Sequence, residues 1–174
     1  EAPLDMRMNQ EAELTAADII NGYEIQDIER ILRIYGEVDN SRKIAQMIEK
    51  ARAVAPINTT GELGKAIEKA LPKFAEHKFL AKVYQALRIE VNQEMKSLEK
   101  FLTGAAKSLK PGGRLVVITY HSLEDRIVKQ TYADLASGCN CPKGLPVCVC
   151  GRKPILNVLT RKPILPSEGE IEEN

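Results

Sequence analysis

The chain has 174 residues, with 25 Lys and Arg against 24 Asp and Glu, a formal charge of +1. At 44% hydrophobic and 28% charged, its make-up is that of a folded globular protein of one or two domains, which excludes disorder throughout. No apolar run reaches the ~20 residues of a membrane span, and the opening EAPLDMRMNQ lacks the basic-then-apolar layout of a signal peptide, so a cytoplasmic location with no membrane partner is expected.

From Leu14 to about Ala70 apolar residues recur at helical spacing, as in Ile25, Ile28, Ile31, Leu32 and Tyr35, then Ile44, Met47, Ile48 and Ala51. Short helices are predicted, with Thr15 and Ser41 as N-caps and Thr59 with Glu62 at capping-box spacing. Phe79, Val83, Ala86, Leu87 and Val91 form another stripe, continued by Met95, Leu98, Leu102, Ala105 and Leu109, which predicts one long helix or a bent pair. At Lys110-Pro111-Gly112-Gly113 the period breaks. Arg114 to Tyr120 is a β-branched run that reads as a buried strand, and a helical pattern returns over 123–136. Strand, polar turn and helix make the half-unit of a doubly wound α/β sheet. Ile155 to Leu159 reads as a second strand, stopped by Pro163 and Pro166.

Charge is uneven along this order. Residues 1–76 carry 10 basic and 14 acidic side chains, residues 77–174 carry 15 and 10, and the stretch 107–162 reaches +7 with 10 basic against three acidic. That density suits phosphate binding, although scattered Lys and Arg also serve simply to solvate a surface. The tail turns acidic at Glu168, Glu170, Glu172 and Glu173, as a solvated helix start would.

All four cysteines fall in one loop. Cys139, Cys141, Cys148 and Cys150 form two CxC pairs among Pro142, Gly144, Pro146 and Gly151, a set of soft ligands suited to tetrahedral structural zinc. Reduced thiols in a tight loop are the competing reading, and a disulfide framework is disfavoured in a reducing compartment.

Beyond the apolar run lies Tyr120-His121-Ser122-Leu123-Glu124-Asp125-Arg126, polar groups gathered where open α/β sheets collect their ligands. Part of this has a structural account, with Ser122 capping the next helix and Glu124 and Asp125 favourable near its positive end. A hydrolase using Ser122, His121 and Asp125 is excluded because three such neighbours cannot all face one substrate atom, and no nucleophile elbow is present.

The stretch LKPGGRLVVITYHSLEDRIVK resembles the late-strand signature of the ribosomal RNA small subunit methyltransferase H family. PLDMRM with LTAAD, YQALRIEVN over 84–92, and TRKPILPSEGEIEEN over 160–174 are similar to three further blocks of that family, with Asn9 where Asp is usual. The resemblance implies S-adenosylmethionine-dependent methylation of the N4 amine of a cytosine in 16S rRNA near the decoding centre. The partners it implies are 16S rRNA or the small ribosomal subunit, and a homodimer is among the expected assemblies. The fold it implies is α/β, the C-terminal part of a Rossmann-like methyltransferase domain interrupted by an inserted all-helical domain. On that template 1–9 end an upstream catalytic segment, 10–78 are the insertion, and 79–174 return to the catalytic domain with the Cys-rich loop at 139–150. The family's Gly-rich cofactor loop precedes the DMRM block, and GxGxxG does not occur in this sequence. Cofactor-binding residues are therefore expected outside the chain, which reads as a fragment expected not to methylate alone.

For such chemistry the base must be extruded and the amine held in line with the methyl group, with acceptors for its N–H groups. Asp5 is the acceptor candidate, with Arg7 pairing either a phosphate or an acidic neighbour. His121 could accept from the base or relay its proton, and Asp125 completes the catalytic candidates. Arg126 and Lys129 are placed on flanking phosphates, as is Ser122 at the RNA side. Gln85, Arg88 and Asn92 share one helix face, which suits either rRNA contact or packing. An ordinary salt bridge is the competing role for Asp5 and Arg7. A non-catalytic RNA-binding module with a zinc loop is the alternative reading of the whole.

Overall fold

The computed structural model describes residues 2–139, 141–142, 147, 149–160 and 162–173. The chain divides into two compact units, one running to Met95 and the other starting at Lys96.

The first unit is helical. Helix α1 (Ala16–Gly22) opens with the capping box expected at Thr15: its hydroxyl accepts from the Asp18 N–H at 3.2 Å, and the Asp18 carboxylate accepts from the Thr15 N–H at 2.8 Å. Helices α2 (Ile25–Ile34) and α3 (Ser41–Arg52) follow. The cap predicted at Ser41 is not where α3 starts; Asn40 holds that position, and Ser41 is a buried residue of the first turn. The Ser41 N–H already donates to the Val38 carbonyl, and the Asn40 amide is turned to the Ala70 carbonyl, so a turn rather than a side-chain cap begins this helix. Helix α4 (Thr60–Ile67) has the second expected capping box, Thr59 with Glu62, and runs into a short 3-10 turn at Glu68–Ala70. Helix α5 (Glu76–Asn92) packs against α1 and α2, and α2 against α3. The core joins Ile19, Ile31, Leu32, Ile44, Leu63 and Leu87, all fully buried, which is what the apolar stripes dictate.

The chain's first residues are part of this unit. The Leu4 side chain is buried, and its N–H donates to the Asn58 carbonyl at 2.8 Å, beside an isolated bridge between Pro3 and Thr59. The carbonyls of Leu4 and Asp5 accept from the N–H groups of Ala17 and Ala16, two of the donors a helix start leaves without intrahelical partners. The segment that follows Leu4 is thereby fixed at the N-terminus of α1.

The long apolar stripe is a pair of helices. Gln93 adopts a left-handed conformation (φ 48°) that ends α5, and α6 (Glu94–Ser108) begins at once. In the second unit Leu102, Ala106, Leu123 and Leu135 are buried. The Pro-Gly-Gly turn has a steric cause: Gly112 has φ +81°, and a Cβ on Gly113 would meet the Lys110 carbonyl oxygen at 2.9 Å. Helix α7 (Ser122–Ala136) then forms as its pattern predicts, and α8 (Glu168–Glu173) takes up the acidic tail.

The two predicted strands do not form a ladder among the described residues. Leu115, Val117 and Thr119 are half-buried while Val116, Ile118 and Tyr120 are exposed, which is the alternation of an extended segment. A β-branched run sets local preference, but a strand needs a second one to share its hydrogen bonds. Residues 155–159 are mostly exposed, with the Ile155 N–H donating to the Leu135 carbonyl at the end of α7.

Candidate active site

Asp5 and Arg7 form one tight construction. The guanidinium donates to both carboxylate oxygens, Nε to Oδ1 at 2.7 Å and Nη2 to Oδ2 at 2.8 Å, while Nη1 donates to the carbonyls of Gln10 and Ala12. The Arg7 backbone N–H adds a third bond to Oδ1, closing a turn in which Met6 takes φ 63°. These bonds hold the Asp5 carboxyl down to about 2 and raise the Arg7 guanidinium further. Asp5 is therefore an anion at neutral pH that can accept but not protonate, and its side chain remains partly exposed. Arg7 spends four of its five N–H groups inside the fold, so its office in this geometry is to hold Asp5.

Of the polar face of α5, Asn92 is a latch. Its Nδ2 donates to the carbonyls of Met6 (2.9 Å) and Arg88 (2.8 Å), and its Oδ1 accepts from the Met8 N–H (2.8 Å), so the strained turn is held on both sides. Arg88 makes a two-pronged pair with Glu94 at 2.8 and 3.1 Å. Gln85 reaches the Tyr35 carbonyl. These contacts tie the face to its own unit.

In the second unit the polar cluster opens α7. The cap expected of Ser122 belongs to His121, whose Nδ1 accepts from the Glu124 N–H at 3.3 Å; Ser122 is exposed and already one residue inside the helix. The spacing His-x-x-Glu repeats the Thr-x-x-Glu of residues 59–62, a signal read only for hydroxyl residues in the sequence. Glu124, read there as favourable near the helix's positive end, does more: its Oε2 accepts from the Tyr120 N–H at 2.9 Å and its Oε1 lies 3.6 Å from His121 Nε2. With Nδ1 accepting, a neutral imidazole carries its proton on Nε2, a buried atom with no hydrogen-bond partner among the described residues. His121 so placed is a hydrogen-bond donor through Nε2. Asp125 pairs with Lys129 one turn on at 2.7 Å, and Arg126 lies exposed between them.

Lower on the same helix a cleft of about 440 Å³ is lined by Glu99, Thr103, Gln130, Asp134 and Arg152, together with Ile127, Thr131 and Leu135. Tyr132 donates to the Leu115 carbonyl, and burial pushes its hydroxyl up from its ordinary value. Near the end of α7 the sulfurs of Cys139, Cys141 and Cys150 lie within 4.8 Å of one another. Cys148 lies outside the described residues.

The chain matches known proteins along its whole length. It is 49% identical over 177 residues to the ribosomal RNA small subunit methyltransferase H of Symbiobacterium thermophilum, covering 100% of this chain and 56% of that protein. Its identity to the protein of the same name from Carboxydothermus hydrogenoformans is 51% over 176 residues, covering 100% of this chain and 57% of the relative. With the Brevibacillus brevis protein of that name it is 48% over 177 residues, 100% of this chain and 56% of the relative. The chain thus spans just over half the length of these curated relatives. The MraW methylase family pattern matches residues 1–174 without a break, and the chain accordingly belongs to the MraW methylase family of methyltransferases.

Proposed function

We propose that the protein containing this chain transfers a methyl group from S-adenosylmethionine to the N4 amine of a cytosine in small-subunit ribosomal RNA, and that this chain supplies the acceptor side of the reaction. The observation that carries this reading is the unbroken family match together with 48–51% identity to proteins named for rRNA methylation. In this reading residues 1–9 and 79–174 are parts of a Rossmann-like methyltransferase domain, with residues 10–78 as its inserted helical domain and the 114–120 run a strand of its sheet.

No residue here is assigned to the cofactor. GxGxxG does not occur, and Gly112 lies on the wrong side of the apolar run to cradle a ligand, with open space where its Cβ would stand. The chemistry assigned to the chain is that of orientation and hydrogen-bond acceptance. An exocyclic amine conjugated with its ring is a poor nucleophile; hydrogen bonds from its N–H groups to an anion raise its electron density as the new bond forms. Asp5, kept anionic by Arg7 and fixed by Asn92, suits that acceptor. His121, its Nδ1 held by the Glu124 N–H and its Nε2 facing Glu124 Oε1 at 3.6 Å, suits a proton relay beside the base. Asp125, its charge shared with Lys129, is the third member of the proposed catalytic set. Arg126 and Lys129, with Ser122 and Arg88, suit the phosphates and sugars of the RNA flanking the target.

The base is identified by nucleoside mass spectrometry. Small-subunit RNA lacking the modification, incubated with the complete protein and labelled cofactor, is expected to yield N4-methylated cytidine. Label on another base, or none with a protein that binds the RNA, would replace this reading with a different target or with the binding-module alternative.

A further inference from the structure

The cysteine loop takes no part in methyl transfer as read above, yet it is the most closely organised group of soft side chains in the chain. It leaves α7 at Ser137, whose hydroxyl donates to the Cys139 carbonyl at 2.7 Å and accepts from the Cys139 N–H at 3.4 Å. The Cys141 N–H donates to Cys139 Sγ at 3.3 Å. Cys150 Sγ lies 3.9 Å from Cys139 Sγ, and all three sulfurs fall within 4.8 Å of one another. The return limb is fastened to the helix the loop left. Gly151 turns with φ +60°, the Arg152 guanidinium donates to the Asp134 carbonyl, and the Ile155 N–H donates to the Leu135 carbonyl at 2.9 Å.

The spacing discriminates between fates for these sulfurs. A disulfide places its sulfurs about 2.05 Å apart. Around a tetrahedral zinc, with Zn–S near 2.3 Å, neighbouring sulfurs stand about 3.8 Å apart. The 3.9 Å separation of Cys139 and Cys150 agrees with the second value. Three cysteine sulfurs gathered within 4.8 Å of one another offer a soft ligand set, and such sets select soft ions, zinc foremost.

We propose that Cys139, Cys141 and Cys150 bind one zinc ion that clamps the return limb, residues 150–155, to the C-terminal end of α7. A fourth ligand completes the tetrahedron; Cys148, the candidate from the sequence, lies outside the described residues. The ion is structural. It adds binding free energy to a loop with little apolar surface to bury, and it steadies Arg152 on the α7 carbonyls at one end of the helix that His121 opens at the other.

The test is metal analysis of the complete protein, purified in reductant and dialysed against metal-free buffer. About one zinc per chain is expected, falling below about a tenth in a Cys139→Ser, Cys150→Ser variant. Equal zinc in the variant, or none in the parent protein, would overturn the proposal. Should the variant not fold, cobalt exchanged into the parent protein decides: intense sulfur-to-cobalt absorption with the bands of a tetrahedral ion is expected, and its absence counts against the site as firmly.

Discussion

The Asp5 carboxylate receives three hydrogen bonds from a single residue two positions away, and this sets both its charge and its place. Its folded pKa, about 2, lies below the ~3.9 of an unfolded chain, so the pair stabilises the fold fully above about pH 4 and the contribution is lost as pH falls towards 2. Asp18 and Glu62, lowered chiefly by bonds from Thr15 and from the Asn58 and Thr59 N–H groups, act in the same direction. Urea titrations from pH 5 to 2 should therefore show stability falling less steeply for Asp5→Asn than for the parent protein; superimposable slopes would mean that the pair contributes nothing in solution. The sequence offered Asp5 and Arg7 as either a salt bridge or a site; the geometry shows the bridge, and the proposed site role draws on the carboxylate that the bridge aims. Asn92 was legible only as one of several polar residues on a helix face. Its partners, Met6 and Met8, lie more than eighty positions away, and no local pattern encodes that contact.

At the scale of elements, the helices were legible wherever a side chain bonds its own neighbourhood. Thr15 with Asp18 and Thr59 with Glu62 signal helix starts because the capping box is a contact over three residues. Replacing Thr59 with Ala should cost about 1 kcal/mol in equilibrium unfolding, the usual value of a lost cap, and an unchanged midpoint would remove the cap from the account. The starts of α3 and α7 were misjudged for opposite reasons. At Ser41 a turn through Val38 made a side-chain cap unnecessary, and at α7 an imidazole nitrogen took the place of the adjacent hydroxyl. The break at Gln93 had no herald, since glutamine seldom adopts positive φ and the apolar stripe continues across it. Residues 114–120 retain a strand's alternation of burial without a ladder, because sheet formation depends on neighbours that a single run cannot specify.

For the molecule as a whole, apolar spacing was sufficient to foresee a helical core, since burying stripes at i, i+3 and i+4 leaves few alternatives. It did not foresee that α5 would pack with α1 and α2, carrying the first compact unit to Met95, past the division expected at residue 78. The family was legible through short blocks of sequence spread over the chain, and the family match agrees with them. Asp5 lies in one unit and His121 in the other, and each is proposed to act in the methyl transfer. Turnover of the complete protein on small-subunit RNA tests this most directly, compared among the parent, Asp5→Asn and His121→Ala with cofactor affinity measured in parallel. Each substitution should lower kcat by about 100-fold or more while the cofactor Kd stays within about twofold. Near-parental kcat in both variants would contradict the account.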